Sequence, residues 1–413
     1  MTRPVRRPLP ADPMIRQLAQ AAMSRRRLLG TGVGVGLGAA GLAGCAPPPL
    51  PPAKNAELEL PDDLSAKDKR IVWANWTAYL DVSDDEKSNP SLDAFTKRTG
   101  IKVDYKEEIE DNDTYYAKYS PQMRERQQIN RDIMTLTDWM TARVMRDQLC
   151  QPLEMINMPH VAMNMLAPLK EVPFDPGRQF SVTWQSGFAG IGYNKKKVGR
   201  ELKSLDDLWA DDLKGKVTVL SEWRDTVALV MQNQGVDITS DWGRTEFEKA
   251  VDFIQQKIDQ GYIRKVKGNS YMEDLTRGDA YAGITWSGDV FILAYDTKDP
   301  SWTFTIPESG GTLWSDNLLV PITSQHRGNV QKLIDYYYEP EVAAEVAAYV
   351  NYVSPVIGAK EVLAKSDPEL AESPFIFPSE SYIKNHNIQA IRSLSPEEDQ
   401  EFGKIWSQKA MGI

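Results

Sequence analysis

From Arg70 onward the chain alternates short apolar, strand-like runs with helical ones, and that rhythm limits the fold more than any other feature. "RIVWANW" reads as a strand, "NPSLDAFTKRTG" as a helix closed by Gly100, and "IKVDYKEEI" as the next strand. "TYYAKYSPQMRERQQI" reads as a helix interrupted near Pro121, and "RDIMTLT" as a short strand feeding "DWMTARVMRDQLC". Strands joined by crossover helices pair in parallel, so an α/β architecture with helices flanking a parallel sheet is expected. Such sheets take ligands at the carboxyl ends of their strands. Trp76 and Tyr79, Thr137 to Trp139, and Ser221 to Asp225 each follow a strand directly, so all are expected on one rim.

A second unit begins near "VTWQSGFAGIGYNKKKV", after the loop "EVPFDPGRQF". "SLDDLWADDLKGKVTVLSEWRDTVALVMQNQGVD" predicts helix, strand and helix, with Gly215 stopping the first helix. "AYAGITWSGD" and "SWTFTIPESGGTLWSDNLLVPIT" predict strands, the last returning to the first unit. With 413 residues, 41% of them hydrophobic, there is apolar material for two domains. A net charge of -10 argues against nucleic acid or an anionic membrane surface as partner and suits a cationic ligand. The glycines and lysines of "GFAGIGYNKKK" lack the Gly-Lys-Ser/Thr ending of a phosphate loop, and read instead as a strand that crosses close to another backbone.

The first 55 residues differ in composition from everything after them and stand outside the fold. "SRRRLLGTGVGVGLGAAGLAGC" resembles a twin-arginine export signal that ends in a bacterial lipobox. The resemblance implies Arg25 and Arg26 as the recognised pair, cleavage before Cys45, and a lipid anchor on the Cys45 thiol. A transmembrane helix is the competing reading, but alternating glycines make the run a short and poor span. The proline-rich, then polar, stretch from Cys45 to residue 68 suits a tether. With the Cys45 thiol lipidated, Cys150 is the one free thiol of the mature chain, so no intrachain disulfide is possible, and its apolar flanks predict burial.

His160, His326 and His386 lie at no ligand spacing from one another, so no metal site is expected. There is no G-x-S-x-G elbow, and "YYY" at Tyr336 to Tyr338 falls within a helical pattern that predicts packing. Glu222 and Asp225 share the first turn of a helix, where acids also complement the helix dipole. Glu222 with Asp316 would make a glycosidase pair if they faced each other across a sugar, which spacing alone leaves open. The rim gathers Trp76, Tyr79, Trp139, Trp286, Trp314 and Tyr352 beside Asp138, Glu222, Asp225 and Asp316. Aromatic faces with carboxylates at their ends suit an elongated organic cation, because a desolvated ammonium needs a carboxylate and its methylenes need an apolar wall.

The segments "ANWTAYL", "FTKRTGIKVDYKEE", "PFDPGRQFSVTWQSGFAGIGYN", "LWADDLKGKVTVLSEWRDTVALVM", "YMEDLTRGDAYAGITWSGD", "GGTLWSDNLLVPI" and "IKNHNIQ" resemble, in order, the spermidine/putrescine-binding proteins of ABC-type polyamine importers. The resemblance runs from Arg70 to about Ala410. It implies a two-lobed periplasmic-binding-protein fold with crossover hinge strands, one lobe from 69–186 with 315–361 and the other from 187–314 with 362–413. It further implies that Trp76 and Tyr79 pack on a polyamine, that Trp286 and Trp314 sandwich its alkyl chain, and that Asp316 grips an amino group. Glu222 and Asp225 match the family's acidic pair with the two acid types exchanged. Thr137 and Trp139 stand where the family usually has Ser and Tyr, with Asp138 as an extra acid between them. Tyr352 and Gln389 match the remaining polar contacts. The implied protein is an exported, lipid-anchored monomer without cofactor or catalytic residues. It passes a polyamine, spermidine in preference to putrescine, to a permease with a cytoplasmic ATPase. Another organic cation or small solute as ligand, a secreted carboxylate-dependent hydrolase, and a polyamine sensor remain alternatives.

Overall fold

The computed structural model describes residues 58–83 and 87–412. The expected export pair Arg25 and Arg26 and the expected lipid site Cys45 lie outside the described residues. Twelve strands are described: β1 (Arg70–Trp76), β2 (Lys102–Ile109), β3 (Ile133–Thr137), β4 (Glu171–Val172), β5 (Asp175–Pro176), β6 (Ser181–Asn194), β7 (Val217–Leu220), β8 (Ile263–Lys267), β9 (Ala282–Trp286), β10 (Trp302–Thr305), β11 (Gly311–Leu319) and β12 (Ile388–Gln389). All but the β4–β5 hairpin join one sheet, along the path β2-β1-β3-β11-β6-β9-β7-β8, with β10 on β6 and β12 on β11.

The pairing has a simple logic. β2, β1 and β3 are mutually parallel, as are β9, β7 and β8, while β11 and β6 run antiparallel to each other and to the blocks they border. Parallel strands need crossover helices, and these follow as α1 (Pro90–Thr99), α2 (Asn112–Arg124), α3 (Asp138–Arg146), α4 (Trp223–Asn233), α5 (Arg244–Asp259), α6 (Tyr271–Arg277) and α7 (Ser287–Asp296). α1 illustrates how locally the sequence specifies them. Proline opens it, Leu92 and Phe95 bury one face, and Gly100 ends it at φ 73°, donating its N–H to the Thr96 carbonyl at 2.8 Å.

β6 is the longest strand, and all fourteen of its residues are buried. It pairs with β11 from Ser181 to Ala189, with β9 from Ala189 to Tyr193 and with β10 from Ile191 to Asn194. The close approach expected of its glycines is present: a Cβ on Gly190 would stand 2.7 Å from the Thr305 carbonyl oxygen. Tyr336, Tyr337 and Tyr338 are buried packing residues, with the Tyr338 hydroxyl donating to the Thr183 carbonyl at 2.6 Å. Cys150 is a buried free thiol, its pKa pushed up by burial.

Two local expectations are corrected. Pro121 does not interrupt α2, which continues to Arg124 around it. The proline sits in the last turn, and the helix ends through Glu125, whose N–H reaches the Pro121 carbonyl at 3.2 Å. The stretch before Gly215 is not an α-helix but two short 3-10 turns, Leu205–Trp209 and Asp211–Leu213. Ser204 caps the first turn, and the Asp207 carboxylate takes the Lys203 and Ser204 backbone N–H groups, a local bond that favours turns over a continued helix.

Candidate functional site

The carboxyl ends of β1, β3, β7 and β9 converge on a single cleft with about 1010 Å³ of empty space, open solvent included. Of the twelve residues expected to touch a ligand, eleven line it: Trp76, Tyr79, Thr137, Asp138, Trp139, Glu222, Asp225, Trp286, Trp314, Asp316 and Tyr352. Gln389 does not. It lies on β12, where its side-chain oxygen accepts from Gln232 at 3.2 Å.

Strand register sets the aromatic wall. Trp314 on β11 stands opposite Gly187 on β6, and a Cβ at Gly187 would meet its indole at 2.5 Å and the Tyr352 ring at 2.7 Å. Glycine is therefore what leaves room for both rings over the sheet. From there the rings pack edge to face: Trp314 on Tyr352 at 5.2 Å, Tyr352 on Tyr79 at 5.3 Å, Trp314 on Trp286 at 6.5 Å, and Trp286 on Trp76 at 5.9 Å between centroids. Trp76 is pinned by its Nε1–H donating to the Thr135 carbonyl at 3.0 Å.

The carboxylates are placed by the same register. β11 pairs Asp316 with Thr137 of β3, and the Thr137 hydroxyl donates to Asp316 at 2.7 Å. Burial pushes the Asp316 carboxyl up to about 7, with the neighbouring carboxylates of Asp138 and Asp225 adding to the rise and the Thr137 hydrogen bond opposing it. Asp225, in the first turn of α4, accepts from Trp286 Nε1 at 2.9 Å and from the Thr312 hydroxyl at 2.6 Å, and burial raises its carboxyl as well. None of these donors is a cation. Other polar atoms at the cleft are buried without a partner among the described residues, notably Asn269 Oδ1 and Trp314 Nε1.

Two expected residues are engaged differently from the rest. Glu222 caps α2 across the cleft, its Oε1 accepting from the Asn112 backbone N–H at 2.7 Å and side-chain N–H at 2.8 Å. Burial and the charge of Asp111 raise its carboxyl well above the ordinary range. Trp139 stacks against the Arg224 guanidinium, 3.4 Å from ring centroid to Cζ, with Arg143 at 5.1 Å. Asp138 has one oxygen taken by the Asn317 amide, and burial holds its carboxyl up at about 6 in spite of Arg178 and that hydrogen bond.

Sequence reasoning missed Asp289. It is 2% exposed, lines the cleft, and accepts from the Tyr271 and Tyr352 hydroxyls, each at 2.7 Å, while burial pushes its carboxyl up to about 6. A signal was present: Asp289 follows Trp286 by three residues and opens the helix after β9, the rim position that drew attention to Asp225 after β7. The arginines at the far end, Arg146 and Arg224, were missed as well.

The model of the bacterial extracellular solute-binding proteins matches residues 91–374. The spermidine/putrescine-binding periplasmic protein of Escherichia coli (strain K12) is 26% identical over 328 residues, 77% of this chain and 86% of that protein. Spermidine/putrescine-binding periplasmic protein 1 of Haemophilus influenzae is 27% identical over 344 residues, 81% of this chain and 88% of that one. Among solved structures, a spermidine/putrescine ABC transporter substrate-binding protein from Streptococcus pneumoniae superposes with a TM-score of 0.64 at 24% identity, covering 83% of this chain and 99% of that chain. A Treponema pallidum lipoprotein superposes with a TM-score of 0.66 at 16% identity, covering 83% and 99%. These neighbours give the fold as the expected two-lobed α/β arrangement. With 91–374 covered by the family model, the chain belongs to the bacterial extracellular solute-binding proteins, which bind solutes and are not enzymes.

Proposed function

We propose that this protein captures a polyamine in the aromatic cleft outside the cytoplasm and delivers it to an ABC-type permease driven by a cytoplasmic ATPase. One observation carries the reading: Asp225, Asp289 and Asp316 are buried around a box of aromatic rings, and none forms an ion pair with a described Lys or Arg. Buried carboxylates without a cation are costly, and a polyammonium ligand supplies the missing charge while its methylenes lie against Trp76, Trp286 and Trp314. Similarity to polyamine-binding proteins of Escherichia coli and Haemophilus influenzae supports the same class.

Three such carboxylates favour spermidine, with three ammonium groups, over putrescine, which leaves one carboxylate unmatched. The lobes divide at 186/187 and 314/315, within β6 and β11; the change of strand partners along β6 and the register shift between Ser315 and Asn317 support that division. Export through Arg25 and Arg26 and a lipid anchor at Cys45 complete the proposal. Cys45→Ala is expected to release the protein from membranes, and membrane retention of that variant would remove the anchor from the reading.

Calorimetric titration with spermidine, putrescine and an uncharged disaccharide tests the function. Saturable one-to-one binding of spermidine, tighter than putrescine, is expected. Heat from the disaccharide alone, or from none of the three, would overturn it.

A further inference from the structure

Away from the carboxylate cage, the cleft ends in arginine. We propose that this end is a second subsite, which accepts a carboxylate borne on the aminoalkyl ligand. The inference rests on the polyamine reading and extends it, because a simple polyamine presents only N–H donors and gives an arginine nothing to bind.

Arg224 carries the argument. It is 7% exposed and lines the cleft, with its guanidinium between the indoles of Trp139, at 3.4 Å, and Trp223, at 4.1 Å. One nitrogen donates to Asp399, whereas Nη1 is buried with no hydrogen-bond partner. A buried charged donor left unmade is costly, so this nitrogen is a standing demand for an acceptor. The two indoles hold the guanidinium plane fixed, which suits the planar recognition of a carboxylate.

Charge around Arg224 points the same way. Arg146 lines the same cleft, is half-buried, and forms no ion pair or hydrogen bond among the described residues. Arg143 is divided between Asp399 and Asp113. Arg224 and Arg143 thus share Asp399 and Asp113 as their ion-pair acids, Arg146 acts on Asp399 through its charge alone, and the Glu222 oxygen nearest α2 is taken by Asn112. Arg224 and Asp225 are adjacent in sequence and both line the cleft, so a ligand held by its amines at Asp225 needs only a short arm to bring an acid to the arginines.

The test compares two spermidine derivatives of equal size and equal ammonium count: N-carboxyethyl-spermidine and its primary amide. The acid is expected to bind about tenfold more tightly than the amide, a difference of about 1.4 kcal/mol. In Arg146→Gln that ratio is expected to fall towards one, with Arg146→Lys restoring part of it. An acid that binds no better than the amide, or a ratio unchanged in Arg146→Gln, overturns the subsite. Plain spermidine is titrated alongside. Failure of spermidine to bind removes the polyamine reading and this inference with it, whereas spermidine binding with an acid-to-amide ratio of one or less overturns the second subsite alone.

Discussion

At the arginine end of the cleft, Asp399 lies between the guanidinium groups of Arg143 and Arg224; at the aromatic end, Asp316 and Asp289 are at least as buried and receive only uncharged donors. Burial would raise the Asp399 carboxyl, but the two arginines outweigh it and hold it below the ordinary range. The same burial, with no cation to oppose it, pushes Asp289 to about 6 and Asp316 to about 7. The carboxylate at the arginine end is therefore compensated within the chain, whereas those at the aromatic end lack a cation, which has to come from outside it.

The sharpest way to break that contrast is Asp316→Asn. Removing one partner from a buried charge pair costs about 2–5 kcal/mol, so spermidine affinity is expected to fall by roughly 30- to 4000-fold. The empty protein is expected to keep or gain stability, because the lost carboxyl had no cationic partner and its ionised form is costly to bury. Calorimetry and urea unfolding of the same sample separate the two quantities. A variant that unfolds more easily yet binds normally would make Asp316 a structural residue.

Asp399→Asn should show the reverse. It leaves Arg224 and Arg143 buried without their shared counter-ion, and breaking such a pair costs about 3–5 kcal/mol of stability. Urea unfolding of the empty protein reads this directly. A loss below about 1 kcal/mol would mean that the arginines find other acceptors, and the two ends would no longer differ in kind.

How much of this contrast was legible in the sequence follows from how far apart its parts lie. The strand and helix alternation, the shared rim, and the aromatic and acidic residues just after β1, β3, β7 and β9 were legible, because each depends on a short local pattern. Asp289 was overlooked although it obeys that pattern. The arginine cluster was not legible at all: Arg143 and Arg146 look like an ordinary basic last turn of α3, and Asp399 meets them across more than two hundred residues of chain. Glu222 was placed on the rim correctly, but its engagement with Asn112 depends on how α2 and α4 face each other, which spacing does not encode.

A pH titration sharpens the comparison at smaller amplitude. Asp138, Asp289 and Asp316 have folded values of about 6, 6 and 7, above the roughly 4 of an unfolded chain. Between about pH 4 and pH 7 the folded state thus holds protons that the unfolded state has released, and stability of the empty protein falls as pH rises through that window. Asp399 has the opposite sign: its contribution is present above about pH 4 and is lost as pH falls through its lowered folded value. Thermal unfolding from pH 4 to pH 8 should therefore decline towards the alkaline side without ligand. Saturating spermidine should flatten the decline by pairing the carboxylates. An empty protein that grows steadily more stable from pH 5 to pH 8 would contradict the raised values.

The smallest effect is expected at Trp139, the residue on which the two ends meet. Its sequence position suggests a wall for the ligand, and it does line the cleft, but its ring face is occupied by Arg224 at 3.4 Å. A face already covered by a guanidinium has little left for an ammonium, since the two cations would repel each other. Trp139→Ala is therefore expected to reduce stability by about 1–2 kcal/mol, the scale of a desolvated cation–π contact, and to change spermidine affinity by less than about threefold. Measuring both on one variant decides which end Trp139 serves. A large loss of affinity at unchanged stability would move it to the ligand side, and the boundary between the carboxylate compensated within the chain and those that need a ligand cation would have to be redrawn on the other side of Arg224.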